Sequence, residues 1–310
     1  MTYVNIVLSD KGWILERLAR EISIRLPYVR YGLAIDPTAD IQYYMTYSTW
    51  IKKISKVEVA CFTHLEIAEP ARKKFFDVSK SVDFCVAQSD LYAEMLADTG
   101  IDNVVTISPG VDLDNLQPKV KIGVVGRTYH TGRKGEGLVR QVMDIPGIEW
   151  HFTGDGWPGP ALKIPDGKMS DFYNSMDYIL VPALYEGGPM SVAEALACGR
   201  PVIAPPIGWV SAFPHIEYKT GDAHDLRRVL LDVVAQRNQL RASVLDRTWD
   251  AWAAGHDKLF QMLVREHDLA PLEATSATSI SVGLVMHGNE GKSLARLIHQ
   301  KCPEGLAGVA

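Results

Sequence analysis

Cysteine is scarce in this sequence, which has four cysteines in 310 residues. They are Cys61, Cys85, Cys198 and Cys302, and three of them lie in apolar runs. Scattered cysteines in apolar surroundings are typical of buried thiols, whereas disulfide frameworks and zinc sites need paired or regularly spaced cysteines. The sequence therefore predicts free thiols and favours a reducing compartment.

Long apolar runs and an excess of charge of one sign are also lacking. No run is long enough to span a membrane, and the first residues lack the pattern of a secretory signal. The net charge of −5 gives no electrostatic argument for nucleic acid as a partner. We expect a cytoplasmic protein without a nucleic-acid partner, and peripheral attachment at the inner membrane face stays open.

Two signatures of cofactor chemistry are missing as well. No G-x-G-x-x-G motif opens the first predicted helix, which disfavours a dinucleotide oxidoreductase. No cluster of carboxylates has the spacing of a metal site. We therefore expect no cofactor and no metal.

What the sequence does contain is an alternation of short apolar strands with amphipathic helices. In the first third, strands are predicted over 3–8, 57–63, 82–87 and 104–107, and helices over 13–24, 68–78 and 91–98. After turn residues between Pro109 and Pro118, the alternation restarts, with strands over 120–125, 149–153, 178–181 and 201–204. Helical sequence over 222–266 follows, with Trp249 and Trp252 as packing anchors.

This alternation predicts two α/β halves in tandem, each a parallel sheet with helices on both faces. The predicted domains are 1–110 and 111–268, followed by a linker and a strand–helix tail over 269–310. Open parallel sheets bind ligands at the carboxyl ends of their strands, so the candidate site belongs there.

Two acidic residues in the second half are candidates for ligand binding. Glu186 lies on a glycine loop, and Glu194 lies in the short helix that follows. Pro189 suits the first position of that helix, and Gly199 suits the left-handed position that ends it. An unpaired buried carboxylate is costly, so Glu194 is expected to be solvated in a cleft or paired, and ligand hydroxyls would suit it. An ordinary polar helix face, formed with Ser191, is the alternative interpretation.

Basic and glycine-rich loops follow the neighbouring strands. Arg127 comes after the strand over 120–125, and Arg133 and Lys134 precede the next helix. Cations at the carboxyl end of a strand, beside a helix start, suit an anion and especially a diphosphate. Glycine turns at 154–156 and 187–188 are expected on the same rim.

These motifs, in this order, resemble the donor-binding half of retaining glycosyltransferases with the GT-B fold, of the family 4 type. The resemblance rests on a Gly-Arg turn, a Lys-Gly pair, a Gly-Asp-Gly turn and the Glu-x7-Glu spacing of Glu186 and Glu194. A small-residue helix, the sequence Gly-x-Pro-Val-Ile-Ala and a turn at Gly208 complete it. The resemblance implies two Rossmann-like domains that face each other across a cleft.

The resemblance also implies roles for individual residues. Arg127 and Lys134 would hold the donor diphosphate and stabilise the charge of the leaving group. Glu194 would accept hydrogen bonds from the ribose hydroxyls, and Glu186 would address the sugar ring. His64, at a strand end in the first half, would lie near the sugar, with a purely structural role as the alternative. The implied donor-binding residues are Gly12, Gly126, Arg133, Gly154, Gly187, Gly188, Pro189, Met190, Ser191 and Glu194.

Three departures from the family pattern affect the implied site. The loop around Gly12 is less glycine-rich than the family's loop, and the short first half leaves the acceptor site open. The separation of Arg127 from Lys134 is longer than usual, so Arg133 is an alternative to Lys134.

The implied activity is transfer of a sugar, of the hexosyltransferase type, from a nucleotide-diphosphate sugar to an acceptor hydroxyl, with retention and without metal. The acceptor is a saccharide, a lipid-linked molecule or a small molecule. A nucleotide-sugar epimerase or hydrolase and a non-enzymatic nucleotide-binding module are the alternatives. The sugar, the base, the acceptor and the oligomeric state stay open.

The tail has a second resemblance. A predicted strand over 279–286, a loop with Asn289 and Glu290, and a helix over 294–300 resemble the opening of family 2 glycosyltransferases of the GT-A type. This implies that the chain is the front part of a longer, two-enzyme polypeptide. A strand and a helix packed on the main body are the alternative.

Overall fold

The computed structural model describes residues 1–273 and 285–287. The chain forms two compact units, Met1–Asp112 together with Asp246 onward, and Leu113–Leu245. The first stretch contains β1 Val4–Val7, α1 Ile14–Ser23, β2 Val29–Gly32, β3 Ile41–Tyr44, β4 Val57–Phe62, α2 Ala71–Ser79, β5 Phe84–Ala87, α3 Asp90–Asp98 and β6 Val104–Thr106.

The second unit repeats the alternation. It contains β7 Val120–Val124, α4 Glu136–Val142, β8 Ile148–Thr153, β9 Ala161–Leu162, α5 Met169–Ser175, β10 Tyr178–Leu180, α6 Met190–Ala197, β11 Val202–Ala204, β12 Ile216–Glu217 and α7 Ala223–Ala242. The chain then returns to the first unit with α8 Trp249–Glu266 and β13 Val285–His287.

The first unit is built on a seven-stranded sheet in the order β13-β6-β5-β4-β3-β1-β2. All its pairings are parallel except that of β13 with β6. Alternate strand residues serve opposite faces, so Ile6 packs with α1 and α8 while Val7 packs with α2 and α3. Both faces of the sheet are therefore covered, as the alternation predicted.

The second unit is built on a six-stranded parallel sheet in the order β12-β11-β10-β7-β8-β9. One core joins the sheet to α4 and α7, and another joins it to α5 and α6. Two Rossmann-like α/β units are thus confirmed, and the facing arrangement across a cleft stays a prediction. The neighbours β7, β8, β10 and β11 all present their carboxyl ends at one edge.

The predicted division of the chain differs from the structure at its second boundary. The unit border at 112/113 lies two residues from the predicted domain boundary at 110/111, but the predicted second domain, 111–268, includes α8. In the structure α8 packs on the first unit, where Trp252 is fully buried and its indole nitrogen donates to the carbonyl of Leu18 over 3.1 Å. The apolar face of α8 fits the α1 side of the first core, which explains the difference.

Several smaller predictions can be compared with the structure. Cys61 and Cys85 are buried thiols as expected, whereas Cys198 is only partly buried. Of the predicted linker and tail over 269–310, residues 269–273 and β13 belong to the described residues; the helix over 294–300 and the resemblance to a second enzyme lie outside them. Across residues 1–273 and 285–287, every helix is too short or too polar to cross a membrane.

Candidate functional site

Two glycine turns meet at the carboxyl edge of the second sheet. Gly126 follows β7 and Gly154 follows β8, and both have a left-handed backbone, with φ of 99° and 77°. A Cβ atom on Gly154 would lie 2.6 Å from the carbonyl carbon of Gly126, so only glycine allows this approach. The indole nitrogen of Trp157 donates to the Gly126 carbonyl over 2.6 Å, which holds the turn after β7 in place.

A third loop places the cations beside β10. Gly135 has a φ of 79°, and a Cβ atom there would lie 1.8 Å from the carbonyl oxygen of Pro182. The amide of Leu184 donates to the carbonyl of Arg133 over 2.8 Å. These two contacts tie the segment carrying Arg133 and Lys134 to the chain that leads into Glu186.

Glu186 forms ion pairs with both of these cations. Its Oε1 atom is 2.7 Å from Nη1 of Arg133 and also accepts from Nζ of Lys134. The three side chains are 13% (Glu186), 27% (Arg133) and 21% (Lys134) exposed, so water screens the pairs only in part. The structure thus brings three predicted site residues into contact. The sequence offered Arg133 as an alternative to Lys134, and in the structure both cations contact Glu186.

The glycine loop after Glu186 is packed against an aromatic side chain that the sequence analysis missed. A Cβ atom on Gly188 would lie 2.9 Å from Cε2 of Trp209, and the amide of Trp209 donates to the carbonyl of Gly187 over 3.2 Å. The Trp209 ring is 37% exposed. Trp209 directly follows Gly208, which lies in the last glycine turn of the family resemblance. This position in the sequence could have identified Trp209 as a candidate site residue.

Helix α6 begins one residue later than the sequence predicted. Pro189 lies just before it, and Met190 is its first residue. Met190 is 58% exposed, whereas Ser191 is partly buried. Gly199, with a φ of 67°, ends the helix in the left-handed conformation, as predicted.

Glu194 is exposed and accepts a hydrogen bond from a buried tyrosine of α5. The distance from the Tyr173 hydroxyl to Oε2 of Glu194 is 2.5 Å. Burial raises the pKa of Tyr173 well above its usual range, and the bond to Glu194 raises it further. The phenol therefore stays a donor and orients one carboxylate oxygen of Glu194.

Arg127 is exposed and lies against Tyr129, a second residue that the sequence analysis did not single out. The guanidinium carbon of Arg127 is 5.3 Å from the centre of the Tyr129 ring. Hydrogen bonding from Arg127 lowers the pKa of the Tyr129 phenol, and its positive charge acts in the same direction. Arg127, Arg133 and Lys134 thus form a cationic group at the rim, with Glu186 among them.

His64 and Gly12 belong to the first unit, each at the carboxyl end of a strand. His64 follows β4 and is exposed; its Nδ1 atom lies 2.8 Å from Oγ1 of Thr63 and its Nε2 atom 3.2 Å from Oε1 of Glu66. Gly12 follows β1 with a φ of 85°, and its amide donates to Glu16 over 2.7 Å. Both are held by local hydrogen bonds.

The rim of the second unit is suited to an anion. It offers three cations, free space beside Gly126 and Gly187 for close approach, and the start of α6. Among the residues that the structure describes, no group of three or more His, Cys, Asp or Glu side chains is arranged to hold a metal ion.

The second unit matches a known protein family. Residues 113–231 match the family described as glycosyl transferases group 1. This match supports a glycosyltransferase domain and covers nearly all of Leu113–Leu245. No curated protein sequence matches the chain.

Solved structures resemble the chain only distantly. A sucrose-phosphate synthase from Thermosynechococcus elongatus has 14% identity and a TM-score of 0.34, covering 86% of this chain and 100% of its own. Anabaena HepE in complex with UDP has 13% identity and a TM-score of 0.37, covering 84% and 100%. At these scores, neither structure carries an argument about activity.

Proposed function

We propose that the chain is a glycosyltransferase that takes a sugar from a nucleotide-diphosphate donor and transfers it to an acceptor hydroxyl with retention of configuration. The cationic group on the rim carries this proposal, because it lies in the unit that matches the glycosyl transferases group 1 family. A saccharide, a lipid-linked molecule or a small molecule is the acceptor class.

In this proposal the cations act by electrostatics. Arg127 and Lys134 bind the diphosphate, and their charge stabilises the negative charge that grows on it as the bond to the sugar breaks. The leaving diphosphate helps to deprotonate the acceptor on the same face of the sugar, which gives retention without an enzymic nucleophile. The chain supplies positioned charge, and the reaction needs no metal.

The two glutamates and His64 have separate proposed roles. Glu194, already oriented by Tyr173, accepts hydrogen bonds from the ribose hydroxyls. Glu186 holds Arg133 and Lys134 in the free protein and addresses the sugar ring once the diphosphate occupies the cations. His64 in the first unit is proposed to lie near the transferred sugar.

A binding screen tests the donor class. Thermal melts of the full chain are recorded with UDP, GDP, ADP and their sugars. One nucleotide diphosphate should raise the melting temperature, since it binds the folded state. Arg127→Ala should weaken that binding about 10- to 100-fold, because a charge-assisted contact is lost. No shift with any nucleotide would contradict the proposal.

A transfer assay separates the activities. With the donor identified, release of nucleotide diphosphate should need an added acceptor and should continue in EDTA. Release without acceptor would identify a hydrolase, and interconversion of the sugar would identify an epimerase. Binding without any turnover would identify a nucleotide-binding module.

A further inference from the structure

One tyrosine contacts two arginines of the proposed diphosphate site. The guanidinium carbon of Arg133 is 4.5 Å from the centre of the Tyr129 ring, and that of Arg127 is 5.3 Å from the same point. Both distances are within the range of a favourable cation–π contact. Hydrogen bonds from both arginines lower the pKa of the phenol, as do their charges. One side chain therefore contacts two cations, of which Arg133 is also held by Glu186.

The backbone fixes Tyr129 from both sides. The amide of Thr128 donates to the carbonyl of Asp155 over 2.9 Å, and the carbonyl of Arg133 accepts from Leu184 over 2.8 Å. The first contact ties the loop to the turn after β8, and the second ties it to the chain after β10. The extra residues between Arg127 and Lys134 thus form an anchored loop with Tyr129 inside it.

The charges near Tyr129 are not balanced. Glu186 pairs with Arg133 and Lys134, but no carboxylate in the described part of the chain forms an ion pair with Arg127. Glu186 thus supplies one carboxylate to two cations, and Arg127 adds a third cation without an ion pair among the described residues. Two guanidinium groups beside one ring repel each other, so an anion with two charged groups would relieve the repulsion.

We propose that Tyr129 is a positioning residue that holds Arg127 and Arg133 at the spacing of a diphosphate. This inference rests on the proposed function. Stacking on the ring restricts two long side chains before the ligand arrives, which reduces the entropy lost on binding. Arg133 then binds the diphosphate together with Arg127 and Lys134. The loop from Arg127 to Lys134, which is longer than the family pattern, provides room for both arginines to stack on the Tyr129 ring.

Inorganic pyrophosphate is the probe, because it has the diphosphate and needs no knowledge of the base. Calorimetric titrations of the full chain compare pyrophosphate with inorganic phosphate for the wild type, Tyr129→Phe and Tyr129→Ala. Tyr129→Ala should bind pyrophosphate about 5- to 30-fold more weakly, from the loss of two cation–π contacts. Its affinity for phosphate should change less than about twofold. Tyr129→Phe keeps the ring but loses the phenol oxygen that accepts from both arginines, so its pyrophosphate affinity should lie between those of the wild type and Tyr129→Ala.

Two results would overturn the role of Tyr129 while leaving the proposed function intact. One is wild-type pyrophosphate affinity in Tyr129→Ala, and the other is an equal loss for phosphate and pyrophosphate, which a merely structural role would give. If Tyr129→Ala does not fold, Tyr129→Leu replaces it, because leucine keeps bulk without a π face. If the folded wild type binds neither pyrophosphate nor UDP, GDP or ADP, the proposed function itself fails, and this inference with it.

Discussion

Glu186 pairs with two of the cations that are proposed to bind a diphosphate. Its carboxylate touches Arg133 and Lys134, and all three side chains are largely shielded from water. A negative charge beside two cations weakens their attraction for any other anion. Glu186 therefore partly neutralises this cationic group, and in the proposed function a donor has to displace that interaction.

Replacing Glu186 by glutamine should strengthen binding of pyrophosphate. We expect Glu186→Gln to bind it about fivefold more tightly, because the competing charge is gone, and to melt at a lower temperature without ligand, because two cations lose their partner. Glu194→Gln is the matched control and should not gain affinity, since Glu194 contacts Tyr173 and no cation of the group. Titration calorimetry measures both. Weaker binding by Glu186→Gln would show that Glu186 does not oppose the anion.

His256 makes the first unit sensitive to acid. It is fully buried; its Nδ1 atom donates to the carbonyl of Trp252 over 2.9 Å, and its Nε2 atom lies 3.1 Å from the Tyr43 hydroxyl. Burial lowers the pKa of His256 from 6.5 to about 4, partly offset by the bond to Trp252. Between these values the unfolded chain binds the additional proton, so acid favours unfolding.

The contribution of His256 should be complete above pH 6.5 and lost as the pH falls to 4. We expect the free energy of unfolding of the first unit to fall by about 3 kcal/mol from this group between pH 7 and 4. Denaturant unfolding at several pH values measures it. His256→Gln should have a shallower pH slope, whereas His267→Gln, outside the core, should match the wild type. Equal slopes in all three proteins would rule out His256 as the cause.

At the scale of elements, two glycines at the start of α4 differ in whether the structure has room for a side chain. Gly135 precedes the helix in a left-handed conformation, and an added Cβ would overlap the Pro182 carbonyl at 1.8 Å. Gly137 lies inside the helix, and nothing is within 4 Å of its added Cβ. The loop that carries the cations therefore depends on one of these glycines only.

Gly135→Ala should destabilise the second unit by roughly 2–4 kcal/mol, from strain and overlap together. Gly137→Ala should stabilise it by up to about 1 kcal/mol, because alanine is the better helix former. Thermal melts followed by circular dichroism compare the two. Similar melting temperatures for both variants would contradict the close contact of Gly135 with Pro182.

Most of the strands that were predicted from the sequence have continuous apolar runs, with β8, which contains Glu149 and His151, as an exception. Four further strands, β2, β3, β9 and β12, were not predicted. In β2 Arg30 is exposed at the sheet edge, and in β3 the buried Gln42 is satisfied by Asn5 at 2.6 Å, so neither strand has an apolar run. The helical segment over 222–266 divides at 243–248, where Thr248 caps α8. These strands and this helix break depend on contacts with residues far away in the sequence, which a local sequence pattern does not contain.

The sequence allowed us to predict which loops share one edge of the sheet, but not which side chains contact each other there. Glycine turns after successive parallel strands must share an edge, which explains why Gly126, Gly154 and the loop at Glu186 come together. The ion pairs of Glu186 and the stacking on Tyr129 depend on how one loop folds back on Pro182, and spacing alone does not determine this.

At the scale of the whole molecule, the two units are built from different numbers of chain segments. The second is one continuous segment, Leu113–Leu245, whereas the first needs α8 from beyond it. Trp252, Phe260 and Leu263 of α8 are almost fully buried in the first core. Removal of α8 would expose that core, and attachment of α8 to the second unit alone would expose the apolar face of the helix.

Isolated fragments should show this difference. We expect 113–245 to be monomeric with a cooperative thermal transition, because its two cores are complete. The fragment 111–268, which corresponds to the division predicted from the sequence, should self-associate through the exposed face of α8. Size-exclusion chromatography and melts of both fragments measure this. A monomeric 111–268 that melts higher than 113–245 would contradict the observed partition.

The late position of α8 in the chain also imposes an order on biosynthesis. All of Leu113–Leu245 leaves the ribosome before α8 does, so the second unit can fold while the first still lacks one of its helices. Until α8 emerges, the surface that will pack against Trp252 and Phe260 is open to solvent. The nascent first unit is therefore the stage at which this protein is most exposed to aggregation and to chaperone binding.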